Sequence, residues 1–268
     1  MAEPIPEVLI AVPFRNARWN LDNFVAGLSA IDFDRTRLSL AVVEGDSEDG
    51  SHEALKSIMP ALEAKFAKVT LLKFDQGAAP YSQDGRRDAK VQRERRARIA
   101  KARNRIITGC LGSASWVLWI DADMIWWPVD ILRSLLAVGA DVVTPHCTMP
   151  DNTRSLDLNS FAFLPGLRDR PKDLRDGIYQ PPAGGCRRYL QDFSHRDQVE
   201  LDSVGGTMLL VNAEAHRNGL VFPPCPFEGY IETEGLARMA KAMGLRCIGL
   251  PKVRVVHGPG RFEPAFPQ

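Results

Sequence analysis

The stretch LWIDADMIWW, Leu118 to Trp127, decides how this chain is read. An apolar run delivers two carboxylates, Asp121 and Asp123, one residue apart, and two tryptophans close in behind them. In an extended segment residues i and i+2 share a face, so both carboxylates can reach one point. Negative charge beside apolar neighbours has to be offset by a metal ion, a buried basic partner or open water. Hard oxygen donors that leave positions open suit Mn²⁺ or Mg²⁺ able to bridge a diphosphate. In the simpler account one Asp caps the next helix and the other is solvated. An Asp-x-Asp tripeptide alone arises by chance in many chains.

What surrounds the pair gives it weight. The run SWVLWI is the fourth strand of a series. Before it come a strand at Val8–Val12 stopped by Pro13, a helix over about 20–30, and a strand in RLSLAVVEGDSEDG. A helix opening at Ser51, the strand KVTLLKF, a polar loop over 74–88 and an arginine-rich helix reaching Cys110 follow. This order predicts an α/β fold: a mostly parallel central sheet, Rossmann-like, with helices on both faces. The two aspartates then fall at the C-terminal end of a strand, the edge where open α/β sheets bind ligands. After them the spacing predicts a short helix opened by Pro128 and the strand ADVVTP. Residues 146–200 read as ordered loops with a hairpin, an insertion on the acceptor side and not a domain of its own. Regularity returns in DSVGGTMLLVNAEAHRNGL, in the helix ETEGLARMAKAMG and in two short strands within RCIGLPKVRVVHG.

Composition narrows the class. The chain has 268 residues, 45% hydrophobic and 25% charged, ordinary values for a globular protein. Its net charge of +1 hides a strong asymmetry, because ten Arg or Lys stand between Arg86 and Arg105 against Asp88 and Glu94. Five widely spaced cysteines without a CxxC read as reduced thiols, not as a disulfide frame or zinc site. No stretch approaches the roughly 20 apolar residues of a membrane span, and MAEPIPEV lacks a signal peptide's features, so as written the chain reads as cytoplasmic.

Strand-exit DxD, RIAKARNRIITGCLGSASWVLWIDADM, DLNSF and the long run from LDSVGGTMLLVN through FEGYIETEGLARMAKAMGLRC to VRVVHG closely resemble the fungal mannan-polymerase α-mannosyltransferases, glycosyltransferase family 62. VPFRNA and EGDSEDG resemble that family's first nucleotide-facing turns. The resemblance implies one GT-A-type domain over 1–268, with a nucleotide-sugar-binding half (1–125) and an acceptor-side half (126–268). It implies a metal-dependent retaining transferase that moves mannose from GDP-mannose, with Mn²⁺ or Mg²⁺, to a glycan or other hydroxyl acceptor. It also implies homo- or hetero-oligomeric assembly and, for a chain with the family's anchor and stem, the Golgi lumen.

Site residues follow by position. Asp121, Asp123 and His257 would hold the metal, although a lone His is more often a core or turn residue. Pro13, Arg15, Glu44 and Asp46 would cradle base and ribose, while turn chemistry alone explains the same residues. Arg98, Lys101 and Arg103, with Asp121, would meet the donor phosphates. The remaining cations of the 86–105 helix would face an anionic acceptor, an acidic partner or water. Glu232, Glu234 and Asp202 are the candidate catalytic carboxylates, against the simple reading that the glutamates favour a helix N-terminus. The glycines of SVGG would let backbone approach the sugar. Trp126 and Trp127 read as packing. Two other classes fit parts of the pattern. A haloacid-dehalogenase-type phosphatase would use Asp121 as nucleophile. A non-catalytic sugar- or nucleic-acid-binding protein would rely on the arginine run, though that helix lacks interleaved aromatics.

Overall fold

The computed structural model describes residues 5–77, 88–151, 153–182, 185–258 and 266. β1 (Val8–Phe14), β2 (Leu38–Glu44) and β3 (Lys68–Lys73) alternate with α1 (Leu21–Ala30) and α2 (Ser51–Glu63). The arginine-rich helix α3 (Ala89–Cys110) leads into β4 (Trp116–Ile120) and, after the DxD turn, β5 (Met124–Trp126). α4 (Ile131–Leu136) and β6 (Val142–Thr148) follow. The middle stretch carries β7 (Phe161–Phe163), β8 (Leu174–Arg175), β9 (Ile178–Tyr179) and β10 (Arg187–Tyr189). β11 (Val199–Glu200), β12 (Met208–Asn212), α5 (Ala213–Arg217), α6 (Glu232–Ala242) and β13 (Cys247–His257) close the order.

One nine-stranded sheet organises these elements, in the order β11-β13-β6-β12-β4-β1-β2-β3, with β5 paired to β13. Strands β3, β2, β1 and β4 are parallel, as the helix-punctuated sequence predicts. The other half departs from the expected mostly parallel sheet. β12 inserts antiparallel between β4 and β6, while β13 runs parallel to β6 and antiparallel to β5 and β11. The sheet is therefore mixed. The two short strands expected at the C-terminal end are one strand, β13, kinked by a register shift between Leu250 and Arg254.

Pro13 does not stop β1, which runs on to Phe14. Pairing to β4 ends at Ala11, so Pro13 lies where β1 has only β2 as a partner and the missing N–H costs no central ladder bond. Alternate residues of β1 feed two cores. Val8, Ile10 and Val12 pack with α1, α2 and α4, whereas Leu9 and Ala11 pack with α3, α5 and α6. Trp127 belongs to the first core, wedged between Phe24 and Phe266. The middle stretch is loops with a hairpin, β8–β9, enclosed by the antiparallel pair of β7 with β10. All five thiols are free. Among the described residues no helix is long and apolar enough to cross a membrane.

In the second core Trp119 meets Phe222 and His216 edge-on, with centroids at 4.9 and 5.8 Å. Burial holds the His216 imidazole down to about 4, against the opposing pull of its hydrogen bond to the Leu220 carbonyl. The unfolded chain takes up this proton near pH 6.5 and the folded chain only near 4, so stability is lost as pH falls through that window. Across the full window the loss approaches about 3 kcal/mol. Urea unfolding at pH 7 and pH 4.5 should show this dependence markedly reduced in His216→Leu. An identical pH slope in the variant would remove His216 as its source.

Candidate functional site

The DxD turn is built by both halves of the sheet. β4 ends at Ile120, the Asp121 amide bonds to the Thr207 carbonyl, and Met124 closes the turn by donating to Asp121 O at 3.1 Å. β5 then pairs with β13 so that His257 stands opposite Met124, and Gly258 N donates to Asp123 O at 3.0 Å. This pairing brings together side chains that lie 134 positions apart in the chain: His257 Nε2 is 3.0 Å from Asp123 Oδ1. From below, buried Asn20 donates to the carbonyls of Ala122 and Met124 at 2.9 and 2.8 Å.

Each aspartate has its own basic partner. Asp121 Oδ1 accepts from Arg103 Nη2 at 2.7 Å, and Arg103 Nη1 donates to Glu232 Oε1 at 2.6 Å. The guanidinium also donates to Gly206 O at 2.9 Å and lies over the Phe222 ring. It is only 1% exposed, a charge admitted to the interior because two carboxylates meet it. Burial raises the Asp121 carboxyl to about 6; Arg103 opposes the rise, while Asp123 and Glu232 add to it. Burial alone would lower His257, but its hydrogen bond to Asp123 and the charges of both aspartates outweigh it and lift the imidazole to about 9. Burial alone would raise Asp123; bonded to His257, it is held below the ordinary carboxylate range.

A cavity of about 600 Å³ opens at this sheet edge. Asp121, Asp123, His257 and Gly258 form one side, and Pro13, Arg15, Asp46, Phe74 and Gln76 form the other. Arg95 and Arg98 reach it from α3. Asp46 sits with positive φ (56°) at a turn where its carboxylate accepts from the Gln76 and Gly77 amides, each at 3.0 Å. Its oxygens keep further acceptor capacity.

Other residues singled out from the sequence lie elsewhere. Glu44 is fully buried beneath the second turn, bound to His52 and Lys73. Lys101 is exposed on α3 outside the cavity lining, and Arg103 faces the interior. None of the three candidate catalytic carboxylates lines the cavity. Glu232 opens α6 with positive φ (58°), a rare backbone state for a residue with a Cβ, and so turns its carboxylate to Arg103. Glu234 is held between Arg96 at 2.5 Å and Arg187 at 3.0 Å. Asp202 accepts from Lys241 at 2.6 Å and the Phe163 amide at 2.7 Å. Of the basic helix, Arg96 at Glu234 and Arg103 at Asp121 turn inward to ion pairs, whereas Arg93 pairs with Asp176 at the surface and Lys101 and Arg105 are exposed; Arg86 and Arg87 lie outside the described residues.

Two features escaped the sequence. The glycines of SVGG make room for side chains: a Cβ on Gly206 would strike the Arg103 guanidinium and one on Gly205 the Asp157 carboxylate. Asp157, within DLNSF, holds that turn by accepting from Gly206 N, Thr207 N and the Thr207 hydroxyl. Arg95, grouped from the sequence with the cations facing an anionic acceptor, an acidic partner or water, lines the cavity and helps hold the Asp123 carboxyl down.

Arg103→Met should cost about 3–5 kcal/mol in chemical unfolding, because Asp121 and Glu232 lose their shared counter-charge. Arg103→Lys, with one ammonium in place of a two-pronged guanidinium, should recover only part of it. A loss below about 1 kcal/mol for Met would show that the guanidinium is a bystander.

A profile of the Anp1 family matches residues 2–226. The mannan polymerase complex subunit mnn9 of Schizosaccharomyces pombe is 32% identical over 271 residues, spanning 94% of this chain and 80% of that one. The MNN9 subunit of Candida albicans is 31% identical over 283 residues, spanning 94% and 74%. Among solved structures, the mannosyltransferase PcManGT from Pyrobaculum calidifontis in complex with GDP-Man and Mn²⁺ matches with a TM-score of 0.59 at 17% identity, over 97% of this chain and 59% of that one. GalNAc-T7 with UDP, GalNAc and Mn²⁺ matches with a TM-score of 0.60 at 14% identity, over 97% and 45%. At these identities the structures show a common fold, and this chain spans only about half of each. The chain belongs to the Anp1 family, whose members here are mannan polymerase subunits, and it has the GT-A fold of nucleotide-sugar glycosyltransferases.

Proposed function

We propose that this glycosyltransferase is a metal-dependent, retaining mannosyltransferase that uses GDP-mannose. The observation that carries the reading is the convergence of Asp121, Asp123 and His257 with Arg95 and Arg98 on one cavity at the sheet's ligand-binding edge. Their chemistry fits a hard divalent cation: the Asp123 carboxylate meets the His257 imidazole at 3.0 Å, and the Asp121 carboxylate lines the same cavity. Among the described residues no three such side chains form a cage able to hold an ion alone, so donor oxygens would complete the coordination. Asp121, Asp123 and His257 would hold such an ion, which would supply positive charge to a departing diphosphate.

The chain's own residues divide the rest. Arg95 and Arg98 meet phosphate oxygens, and Pro13, Arg15 and Asp46 bound the base-and-ribose end. Arg103 fixes the Asp121 carboxylate by anchoring it to Glu232. Glu232, Glu234 and Asp202 support this arrangement through their ion pairs and do not touch the sugar. The chain acts as one domain whose C-terminal half returns His257 to the nucleotide half. The acceptor is a glycan or other hydroxyl, and the chain works within a complex, as the mannan polymerase complex subunits it resembles do, with the Golgi lumen as its proposed setting. A phosphatase is disfavoured, since Asp121 follows the fourth strand and has one oxygen held by Arg103. The intact convergence likewise argues against a binder that has lost its chemistry.

With Mn²⁺ present, GDP-mannose should bind and be slowly hydrolysed, and EDTA should abolish both. Asp123→Ala should weaken Mn²⁺-dependent donor binding at least tenfold by calorimetry while retaining its melting transition. Donor binding indifferent to metal and to Asp123→Ala would falsify the transferase site.

A further inference from the structure

Trp19 is 53% exposed, yet its surroundings are fixed. It occupies a 3-10 turn, Arg18–Asn20, between β1 and α1. On one side Asn20 is tied to the carbonyls of Ala122 and Met124, the residues that bracket Asp123. On the other side the Arg18 amide donates to the Asp49 carboxylate at 2.9 Å and the Asn16 amide to the Ser47 hydroxyl at 3.0 Å. The outer edge of the indole packs against Gly258, where an added Cβ would come within 2.8 Å of Trp19 Cη2 and 2.7 Å of Ile125. Gly258 in turn is bonded through its amide to Asp123 O. The ring therefore lines the cavity at its DxD lip.

Core packing does not account for a large aromatic face held in water at so rigid a place. In the reading above the base-and-ribose end is bounded by Pro13, Arg15 and Asp46, and Gly45, Phe74 and Gln76 from the ends of β2 and β3 line the cavity beside them. Trp19 instead adjoins Gly258, the neighbour of His257, where the reacting end of a donor lies if Asp121 and Asp123 take its diphosphate. A donor sugar is enclosed beside that diphosphate, whereas an acceptor arrives from solvent across the lip. Hexoses present an apolar face of C–H groups, and a flat indole offers the complementary surface with little entropy left to lose.

We propose that Trp19 is the stacking platform for a hexose ring of the acceptor glycan. The proposal rests on the transferase reading above and adds the residue that selects a sugar as acceptor. Because Asn20 locks the turn to the DxD loop, the platform is held at a set position relative to the metal-binding carboxylates, so a stacked ring is also an oriented one.

The test combines calorimetry of GDP with Mn²⁺, donor hydrolysis, and transfer from GDP-mannose to methyl α-mannoside and to an α-linked mannobiose. Trp19→Ala should raise the acceptor KM about three- to tenfold, with GDP affinity changed less than about twofold and Trp19→Phe close to wild type. Mannobiose should perturb the indole emission of the wild type and not that of Trp19→Phe, a reading that stands if the Ala variant fails to fold. An unchanged acceptor KM with donor hydrolysis intact overturns the platform alone. So does a shift in GDP or donor affinity without one in acceptor KM, which would assign the ring to the donor. A wild type that neither hydrolyses GDP-mannose nor transfers from it overturns the transferase reading and the platform with it.

Discussion

The site depends on one buried guanidinium. Arg103 crosses from α3 into the interior, takes Asp121 with one nitrogen and Glu232 with the other, and caps the Gly206 carbonyl. Three distant segments are thereby fixed to one planar group: the exit of β4, the entry to β12 and the N-terminus of α6. A point charge could not do this, because the fork geometry of arginine sets both carboxylates in one plane. The consequences spread outward. Glu232 adopts its rare backbone state to reach the fork, and Gly206 lacks a side chain because the fork occupies that space.

A second layer of ion pairs repeats this logic farther from the cavity. Arg96 and Arg187 converge on Glu234, and Arg187 also grips Asp169, which accepts from the Tyr230 hydroxyl. The loop-rich middle stretch is thus joined to α3 and α6 by buried charge as well as by its small aromatic cluster of Phe161, Phe163 and Tyr230. Removing one partner from such a network is expensive, since the others are left charged in the interior. The position of that middle stretch then follows from the same arginine-rich helix that lines the cavity with Arg95 and Arg98.

This explains why the fold was legible in the sequence and much of the site was not. Strand-helix alternation and the apolar run before Asp121 are local patterns, and they place the parallel half and the DxD edge. β12 slipping antiparallel between β4 and β6 is a matter of tertiary pairing, which periodicity does not encode. That the DxD pair and His257 come to one cavity is foreshadowed in the sequence, because their spacing and strand-end position are visible one-dimensionally. The sequence places Arg103 with the phosphate ligands and Arg95 with the cations facing an acceptor, a partner or water, because a helix with so many arginines gives no sign of which one turns inward. That choice is made by Glu232, more than a hundred residues downstream. Asp157 was hidden for the same reason, as its partners are backbone amides of a remote turn.

The division of the sheet also bears on how the site is assembled. The parallel half alone supplies the turns after β1 and β2 and the cavity wall opposite the aspartates. The chemistry-bearing lip needs β13 to return antiparallel to β5, delivering His257, and needs β12 beside β4, delivering the Gly206 carbonyl to Arg103. Asn20 closes the circuit by bonding the turn after β1 to the carbonyls of the DxD loop. The carboxylates are therefore held by contacts from both ends of the chain, so their spacing is a property of the whole sheet. A change that loosens β13 at its Leu250–Arg254 kink would displace His257 while leaving the turns after β1 and β2 in place. The His257 lip and the opposite wall of the cavity are in this sense separable within one fold.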